Sequence, residues 1–397
     1  MLSNILDHPS LAATGAQQMK WYRRRMQVLQ AFRSRYETER PFAGKRLLVC
    51  MHCEPKAALR TEVLLAGGAE EIVFLGNLGS TKPETAAYLA TLPGVTVMAR
   101  RGDTLEDLNR YISLAIREPY DLLMDNGAGI MQVYPEFSRT WKPLGGIEET
   151  RSGRLILDRQ QIRPDFPLLV IDDSPVKRLV ENEAGVGQSV VDGFMRATGM
   201  LIGGKRVLIV GYGWCGSGIA QRFRVLGAVT MVCDTDCLRM LKAKIEGNLV
   251  GSLPELLPQA DVVITVTGRF DIIGAQEARL MKDGAILCNA GHYNMEINVP
   301  QLEAAATQRE ALPGAIVRYR LGEKELYLLQ NANPLNLSSG AGNPMEIMEL
   351  GYALQLLSLE AIMKDSTLLP GVQPLPEAVN TEACRLCLQT PQPSCPR

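Results

Sequence analysis

The chain has 397 residues, of which 46% are hydrophobic and 21% charged, and its formal net charge is −1. This length allows two domains with separate cores, and the near-neutral charge argues against nucleic acid or another polyanion as a partner. No apolar stretch is long enough to predict a membrane span, the start lacks the pattern of a signal peptide, and the nine cysteines are scattered. We therefore expect a cytoplasmic protein.

The first half of the chain alternates strand and helix patterns. Residues 1–40 carry apolar side chains at helical spacing, which predicts one long amphipathic helix. RLLVC (46–50), EEIVFLG, VTVMA and DLLMDNG then recur at intervals typical of a parallel sheet with crossover helices. PLLVIDD (167–173) predicts a further strand, and a polar cluster follows at its carboxyl end, where parallel sheets usually place a ligand: Asp172, Asp173, Ser174 and Lys177.

A second alternating series follows a predicted helix at about 188–201. Its strands are KRVLIVGYG, AVTMVCD, ADVVITVTG and GAILCNAGH. The polar segment 331–344 is expected to cross back, so that a helix over 346–363 packs on the first domain, and the last thirty residues, rich in proline, are expected to be weakly structured. The fold class is therefore α/β, with two doubly wound Rossmann-like domains built on parallel sheets.

The segment GYGWCG carries a nucleotide-binding pattern. Gly211, Gly213 and Gly216 lie between an apolar strand and a helix, and Asp234 ends the next strand, about twenty residues on. In this arrangement the glycines allow a tight turn and a close approach of pyrophosphate, and the carboxylate binds ribose hydroxyls and repels the 2′-phosphate of NADP. The pattern favours NAD over the alternative of a helix start with incidental glycines.

Several segments resemble the S-adenosylhomocysteine hydrolase family, in that family's order. They are the MH at 51–52, GGIEET (145–150), DDSPVKRLVEN (172–182), GYGWCGSG (211–218), TVTGRFDII (265–273) and CNAGHYNMEINV (288–299). The resemblance implies a substrate-binding domain of residues 1–188 plus 346–397 and an NAD-binding Rossmann domain of residues 189–345. It also implies a homo-oligomer, dimer or tetramer, acting on a small-molecule substrate.

In that family, bound NAD oxidises a ribose hydroxyl, the thiol is eliminated, water adds, and the hydride returns. By position, the resemblance implies a catalytic set of Lys177, His52, His292, Glu149, Glu181 and Asn182. It implies cofactor contacts from Thr150, Arg151, Ser152, Asn182, Gly211, Gly213, Trp214, Cys215, Gly216, Asp234, Thr267, Gly268, Asn289, Gly291, His292 and Asn336. Without the resemblance, a lysine after a strand is more often a surface charge and a lone histidine more often a core residue.

The chain also departs from the family pattern. Asn126 replaces an aspartate thought to exchange a proton in the elimination. Glu54, Lys56, Ala341 and Asn343 replace four adenine contacts, and Arg151 replaces a threonine. Isolated charges beside a neutral base would cost desolvation, so we expect these substrate contacts (Glu54, Lys56, Asn126, Arg151, Asn343) to serve a different ligand. The family's C-terminal Lys and Tyr segment is also not found, which leaves tight retention of NAD unassured.

Three hypotheses follow for function. The leading one is an NAD-dependent oxidation of a secondary hydroxyl on a small polar substrate other than adenosylhomocysteine, for example within a biosynthetic pathway. The second is a divergent hydrolase of adenosylhomocysteine or a related thioether, and the third is a catalytically silent regulator that binds NAD. Cys384 and Cys387 form a close cysteine pair, and with no further ligands near that pair we expect no metal site.

Overall fold

The structure is a computed structural model, and it describes residues 2–291 and 293–389. Two compact units are present, one containing the residues up to Arg178 and those from Met345 onward, the other Leu179–Pro344. The boundary after Arg178 falls about ten residues before the one expected from the sequence, in the helical segment that contains both positions.

Apolar runs of four to six residues, many of them fully buried, form most of the strands. In chain order the strands are β1 Arg46–Met51, β2 Glu71–Gly76, β3 Val95–Met98, β4 Leu122–Asp125, β5 Gly145–Glu148, β6 Pro167–Val170, β7 Arg206–Val210, β8 Val229–Cys233, β9 Leu249–Val250, β10 Val262–Thr265, β11 Ala285–Asn289, β12 Gln308–Leu312, β13 Ile316–Leu321, β14 Lys324–Leu329 and β15 Gly371–Pro374.

Helices connect the strands in both units, and the longest follows the return from the second unit. In chain order they are α1 Ala12–Arg25, α2 Gln27–Glu39, α3 Pro55–Ala66, α4 Pro83–Leu89, α5 Leu105–Ala115, α6 Gly129–Val133, α7 Arg151–Arg159, α8 Pro175–Lys177, α9 Val186–Thr198, α10 Trp214–Val225, α11 Cys237–Ile245, α12 Leu253–Leu256, α13 Ala275–Leu280, α14 Val299–Ala305, α15 Leu335–Ser338, α16 Met345–Lys364 and α17 Glu377–Gln389. A π-helical segment, Arg178–Gly185, joins α8 to α9.

The first unit is built on a seven-stranded parallel sheet in the order β15-β6-β5-β4-β1-β2-β3. One large apolar cluster beside it contains Leu48, Val73, Ile112 and Leu168. The return of α16 to this unit confirms the expectation from the sequence.

The N-terminal region forms two helices, so the expectation of one long helix is wrong. Met26 interrupts the path with φ −86° and ψ 79°. The second helix starts there because Glu349 of α16 accepts hydrogen bonds from the backbone N–H groups of Val28 (2.7 Å) and Leu29 (3.2 Å). A carboxylate from a distant helix thus satisfies the unpaired donors of the α2 N-terminus.

The second unit has an eight-stranded sheet in the order β12-β13-β14-β11-β10-β7-β8-β9. Its inner strands are parallel, as expected, but β12 and β13 are antiparallel additions at one edge. Only two residues, Gly322 (φ +68°) and Glu323, separate β13 from β14. A connection that short permits only a hairpin, so an entirely parallel sheet is excluded.

Two further expectations for the first unit are corrected. The strand expected over 167–173 ends at Val170, and a 3₁₀ turn, Ile171–Asp173, follows it. The C-terminal stretch is not weakly structured as far as it is described, because β15 extends the sheet and α17 packs on α16. Asn380 in α17 accepts a hydrogen bond from the Ser174 hydroxyl at 2.7 Å. Residues 390–397 lie outside the described residues.

Among the described residues, none of the helices combines the length and the apolar character needed to cross a lipid bilayer.

Candidate active site

The glycine-rich segment of the second unit forms a tight turn between β7 and α10. Gly211 has φ +104°, a conformation that favours glycine, and a Cβ there would approach the Val266 carbonyl oxygen to 2.8 Å. A Cβ on Gly216 would approach the Gly211 carbonyl oxygen to 2.0 Å. At Gly213, by contrast, a Cβ would meet nothing closer than 3.9 Å. The turn is therefore closed on its protein side and open where a pyrophosphate would approach the helix N-terminus.

Asp234 follows β8 and is fixed beside this turn. Its Oδ2 accepts a hydrogen bond from the Tyr212 backbone N–H at 2.6 Å, and Arg239 Nη1 lies 3.7 Å from the same oxygen. Trp214 and Cys215 begin α10, the tryptophan exposed and the cysteine half-buried. The expected positions of the ribose-binding carboxylate and of the pyrophosphate turn thus lie together, and these residues fit a dinucleotide.

A buried carboxylate that sequence analysis missed, Glu296, holds two of the expected cofactor residues by hydrogen bonds and packs against a third. Glu296 accepts hydrogen bonds from the Thr267 N–H (2.8 Å) and hydroxyl (2.9 Å) and from the Gly268 N–H (2.7 Å). A Cβ on Gly291 would come within 1.7 Å of Glu296 Oε1. Burial raises the pKa of Glu296. An acidic residue in the otherwise mostly apolar segment MEINV was the sequence signal for this role.

Three asparagines of the second unit occupy expected ligand positions. Asn289 ends β11, and its Nδ2 donates a hydrogen bond to the Ala332 carbonyl oxygen at 2.9 Å. Asn336 Nδ2 donates to the Ser189 hydroxyl at 3.2 Å, and that hydroxyl donates to Asn343 Oδ1 at 2.8 Å. Ser189 therefore links one residue expected at the cofactor to one expected at the substrate. Ala341, near Asn343, is exposed.

Lys177 lies at the carboxyl edge of the first sheet, in the short helix after β6. Its Nζ is 3.7 Å from Glu149 Oε1 and 3.6 Å from Asp172 Oδ1, and only 5% of the lysine is exposed. The Ser174 hydroxyl oxygen accepts a hydrogen bond from the Lys177 N–H and caps this helix. A buried amine between two carboxylates can exchange a proton with a bound hydroxyl group.

Glu149 is supported by two residues that sequence analysis missed: Gln355 bonds to it directly, and Arg60 bonds to Gln355. Gln355 of α16 donates a hydrogen bond from Nε2 to Glu149 Oε2 at 2.6 Å. The other end of that amide, Oε1, accepts a hydrogen bond from Arg60 Nη1 at 2.7 Å. Arg60 is fully buried, and burial lowers the pKa of its guanidinium. Neither residue belongs to a recognisable motif, so the sequence offered no signal for them.

Glu54 and Lys56 form a buried ion pair with each other, with Nζ and Oε2 2.7 Å apart. Glu54 also accepts hydrogen bonds from the Tyr352 hydroxyl (2.8 Å) and from the Ala57 backbone N–H (3.0 Å). Burial opposes ionisation of Glu54, but Lys56 outweighs it and lowers the pKa of the carboxyl group. The two charges therefore neutralise each other and are not presented singly to a ligand.

His52 follows β1 and is uncharged at neutral pH, because burial lowers its pKa to about 4. Its Nδ1 lies 2.7 Å from the Ser80 hydroxyl oxygen. That hydroxyl uses its single O–H to donate a hydrogen bond to the Asn77 carbonyl oxygen at 3.0 Å, so its oxygen accepts a hydrogen bond from Nδ1–H. The basic lone pair of the imidazole is consequently on Nε2.

Asn126 follows β4, and its side-chain oxygen accepts a hydrogen bond from Asn77 Nδ2 at 2.9 Å. Asp125 and Glu148, opposite each other on β4 and β5, are fully buried below this edge of the sheet. Burial and the neighbouring Glu148 raise the pKa of Asp125 well above its ordinary value. Glu148 also accepts a hydrogen bond from the Thr150 hydroxyl at 2.7 Å, so it fixes the loop that carries the expected cofactor residues of the first unit.

The remaining expected residues are placed as follows. Arg151 and Ser152 begin α7 in the first unit, the arginine exposed and the serine buried. Glu181 and Asn182 are both in the π-helical segment. His292 lies outside the described residues. No group of three or more metal-binding side chains occurs in the part of the chain that the structure describes.

A family model described as "S-adenosyl-L-homocysteine hydrolase, NAD binding domain" matches residues 182–342. This range contains the glycine turn, Asp234 and the loops held by Glu296. The match agrees with the geometry of the turn, and the cofactor is NAD, as expected from the sequence.

Curated relatives match nearly the whole chain. The S-inosyl-L-homocysteine hydrolase of Methanopyrus kandleri is 39% identical over 389 residues, covering 96% of this chain and 92% of that protein. The adenosylhomocysteinases of Aquifex aeolicus and Pyrococcus abyssi are 34% and 37% identical, with the same coverage.

These relatives overturn the leading expectation for function. A small polar substrate other than adenosylhomocysteine is contradicted by several adenosylhomocysteinases that match at 34–37% identity over 96% of the chain. The physical reason for the error is the pairing of Glu54 with Lys56, because the argument had treated them as isolated charges beside the base. The chain is an NAD-dependent enzyme with a small-molecule substrate, and it belongs to the S-adenosyl-L-homocysteine hydrolase family.

Proposed function

We propose that this chain hydrolyses the thioether bond of S-adenosyl-L-homocysteine, giving adenosine and L-homocysteine. The observation that carries the proposal is Lys177, a buried amine between Glu149 and Asp172 at the carboxyl edge of the first sheet. The names of the relatives from Aquifex aeolicus and Pyrococcus abyssi support the same reaction.

NAD, when bound, supplies a hydride acceptor for the ribose carbinol carbon and returns the hydride at the end, so no net oxidation occurs. Lys177 accepts the proton of the hydroxyl group that is oxidised. Glu149, held by Gln355, accepts a hydrogen bond from the adjacent ribose hydroxyl. The ketone that forms on the ribose acidifies the neighbouring C–H bond, which prepares the loss of the thiol.

His52 performs the acid–base steps of thiol loss and water addition. Its Nε2 lone pair accepts a proton, and the Ser80 hydroxyl keeps the ring in that tautomer. The side-chain amide of Asn126 cannot exchange a proton near neutral pH, so it orients the substrate or the attacking water. In the family pattern, the aspartate at the position of Asn126 would share the proton transfers, whereas here we assign them to His52 alone.

We assign substrate binding to the first unit and the dinucleotide to the second, and the other residues keep the roles expected from the sequence. Glu181 and Asn182 contact the ribose and the nicotinamide, His292 acts near the reacting carbons, and Arg151 and Asn343 contribute to the substrate pocket. The cofactor contacts of the first unit come from Thr150, Arg151 and Ser152. Cytoplasmic function is supported by cysteines such as Cys50, Cys53 and Cys288, which form no disulfide in the described part of the chain.

The test is release of adenosine and homocysteine by the purified protein, followed by chromatography, with bound NAD quantified in the same sample. Lys177→Met should lower kcat by about 10²- to 10⁴-fold, because a positioned proton acceptor contributes that much. Lys142→Met removes a lysine that pairs with Asp165 on the surface, and it should leave kcat unchanged. A wild-type protein that carries NAD but releases neither product refutes the proposed function.

A second candidate substrate is S-inosyl-L-homocysteine. The observation that favours it is the buried Glu54–Lys56 ion pair: an ammonium has three N–H donors and no acceptor, so a group whose charge Glu54 neutralises still suits the carbonyl oxygen of a 6-oxopurine. The name of the relative from Methanopyrus kandleri points the same way. Comparing kcat/KM for the adenosyl and inosyl compounds decides between them, and a ratio above ten for the inosyl compound would make it the principal substrate.

We also propose that the chain forms a homo-oligomer through the second unit. Leu238, Leu241 and Ile245 line one face of α11, and each is more than half exposed. Large apolar side chains in a row on one helix commonly mark a protein interface. Light scattering should give a mass that is a multiple of 43.6 kDa, and Leu241→Glu should lower it. A monomeric wild-type protein refutes this part of the proposal.

A further inference from the structure

Six ionisable side chains form one buried cluster in the first unit, and each is at most 7% exposed. They are Glu54, Lys56, Arg60, Glu149, Asp172 and Lys177. Hydrogen bonds, ion pairs and one cation–π contact connect them from Lys177 to Lys56 through Gln355 and Tyr352. Three members are cations and three are anions, so the formal charge of the cluster is zero.

Arg60 is the central member of this cluster. On one side its Nη1 donates to Gln355, which donates to Glu149. On the other side its guanidinium lies over the ring of Tyr352, with the carbon 5.4 Å from the ring centre, and the Tyr352 hydroxyl donates to Glu54. Arg60 thus contacts the hydrogen-bond donors of both carboxylates.

Arg60 is also poorly compensated for a buried charge. Among the described residues, its Nε and Nη2 atoms have no hydrogen-bond partner. Burying a guanidinium with a single hydrogen bond costs free energy, because its other N–H groups lose their water without gaining a partner. The contribution of Arg60 to folding is therefore small or unfavourable, so stability does not explain a buried arginine at this position.

We propose that Arg60 is a positioning residue for the hydrolase reaction: it fixes the amide orientation of Gln355 and, through Gln355, the carboxylate of Glu149 beside Lys177. This inference rests on the proposed function. An arginine only donates hydrogen bonds, so it selects the amide rotamer whose oxygen faces Arg60 and whose nitrogen faces Glu149. Without Arg60 the amide loses one of the two contacts that fix its orientation, so Gln355 holds the Glu149 carboxylate less rigidly.

The charge of Arg60 has a second effect on the same site. Removing it leaves the cluster with a net negative charge, which favours the protonated form of Lys177. The ionisable groups that face this region are Glu149 after β5, Asp172 after β6, Glu54 and Lys56 at the start of α3, and Tyr352 on α16. The rise of activity with pH should therefore shift to higher pH in an Arg60→Met variant.

The experiment compares Arg60→Met, Arg60→Lys, Gln355→Leu and the double variant Arg60→Met/Gln355→Leu by kcat, KM, pH profile, thermal midpoint and NAD content. Arg60→Met should lower kcat by about 10- to 100-fold, as expected for a misplaced reactive group, with little change in KM. Its thermal midpoint should be unchanged or higher. At a pH high enough that the shift of the pH profile no longer limits activity, the double variant should be no slower than Gln355→Leu alone, since the positional effect of Arg60 passes through Gln355. Arg60→Lys should restore the pH profile but not the full kcat.

Arg33→Met is the matched control, because Arg33 pairs with Glu37 and Glu62 away from this cluster and should keep the wild-type kcat. The inference is overturned if Arg60→Met retains the wild-type kcat and pH profile. It is also overturned if kcat falls only together with the thermal midpoint and the two substitutions are additive. Wild-type turnover is measured separately: its absence would refute the proposed function, whereas wild-type turnover with an unaffected Arg60→Met variant would refute this inference alone.

Discussion

The candidate ligand sites of the two units consist of different kinds of chemical groups. The second unit uses backbone: a glycine turn, a helix N-terminus and loops whose N–H groups are held by Glu296. The first unit uses buried charged side chains, with Lys177 and Glu149 at its centre. A backbone site requires glycine at fixed spacing and is therefore visible in a sequence, whereas a side-chain site depends on residues that are close only after folding.

The same difference predicts how substitutions in each unit affect stability and ligand binding. In the first unit, removing one member of a direct ion pair such as Glu54–Lys56 leaves a buried charge without its counterion, and the cost appears as lost stability. In the second unit a substitution adds atoms where the backbone leaves no room, and the cost appears as lost packing and lost cofactor. Three experiments test this contrast.

The largest effect on stability is expected at the ion pair of the first unit. Lys56→Met should lower the free energy of unfolding by about 3–5 kcal/mol, because Glu54 is left buried without its counterion. Lys56→Met/Glu54→Gln should recover most of this loss, since the pair is then neutral and the new amide oxygen still accepts a hydrogen bond from the Ala57 N–H. Urea unfolding measures both, and a Lys56→Met variant within about 0.5 kcal/mol of the wild type would contradict a charge-built site.

A somewhat smaller effect is expected in the glycine turn. Gly216→Ala should cost about 3 kcal/mol and abolish NAD retention, because the new Cβ would lie 2.0 Å from the Gly211 carbonyl oxygen. Gly213→Ala should keep the stability of the NAD-free protein but weaken NAD binding, since its open side is where the pyrophosphate approaches. Gly203→Ala, whose Cβ would meet only ordinary contacts, serves as the control. Equal NAD affinity in all three variants would argue against this placement of the cofactor.

The smallest effect concerns Glu349, which caps α2. Burial raises its pKa from the ordinary 4.5 to about 7, so the folded state binds more protons than the unfolded state between these two values. Its contribution to stability is therefore present at low pH and is lost as pH rises from 4.5 through 7. Glu349→Gln keeps an acceptor for Val28 and Leu29 and should raise stability at pH 8 by roughly 1–2 kcal/mol, with little change at pH 4. A gain of the same size at both pH values would show that the titration of Glu349 is not the cause.

Much of the fold could be predicted from the sequence because strands β1, β2, β7 and β10 are apolar runs followed by turn residues. The errors arose where a distant residue or a short connection decides the outcome. Glu349, more than 300 residues away in the chain, restarts the N-terminal helix at Gln27. The two-residue connection after Leu321 reverses the direction of the chain, so β13 and β14 are antiparallel.

For the candidate site, the sequence motifs predicted Lys177 and Glu149, whose side chains the structure brings together, but they did not predict the residues that support Glu149. Gln355 and Arg60 are 295 residues apart and meet only in the folded chain. The same limit explains the error about the substrate. Glu54 and Lys56 are two residues apart, yet their sequence shows two charges and not the ion pair that cancels them.

Glu54 has two roles: it is one of the residues expected at the substrate, and it caps a helix. The second role limits which residues can replace it. Its side chain accepts hydrogen bonds from the N–H groups of Lys56 and Ala57 and so caps α3, the helix that carries Arg60. Threonine would also cap the helix at this position, whereas alanine or leucine there would destabilise its first turn by about 1 kcal/mol. Redesign of the base pocket is thereby limited to the few short polar and acidic residues that can cap a helix. A substitution at position 54 that changes the preference for the base therefore also changes the stability of α3. Variants designed for a new base must keep a capping residue there.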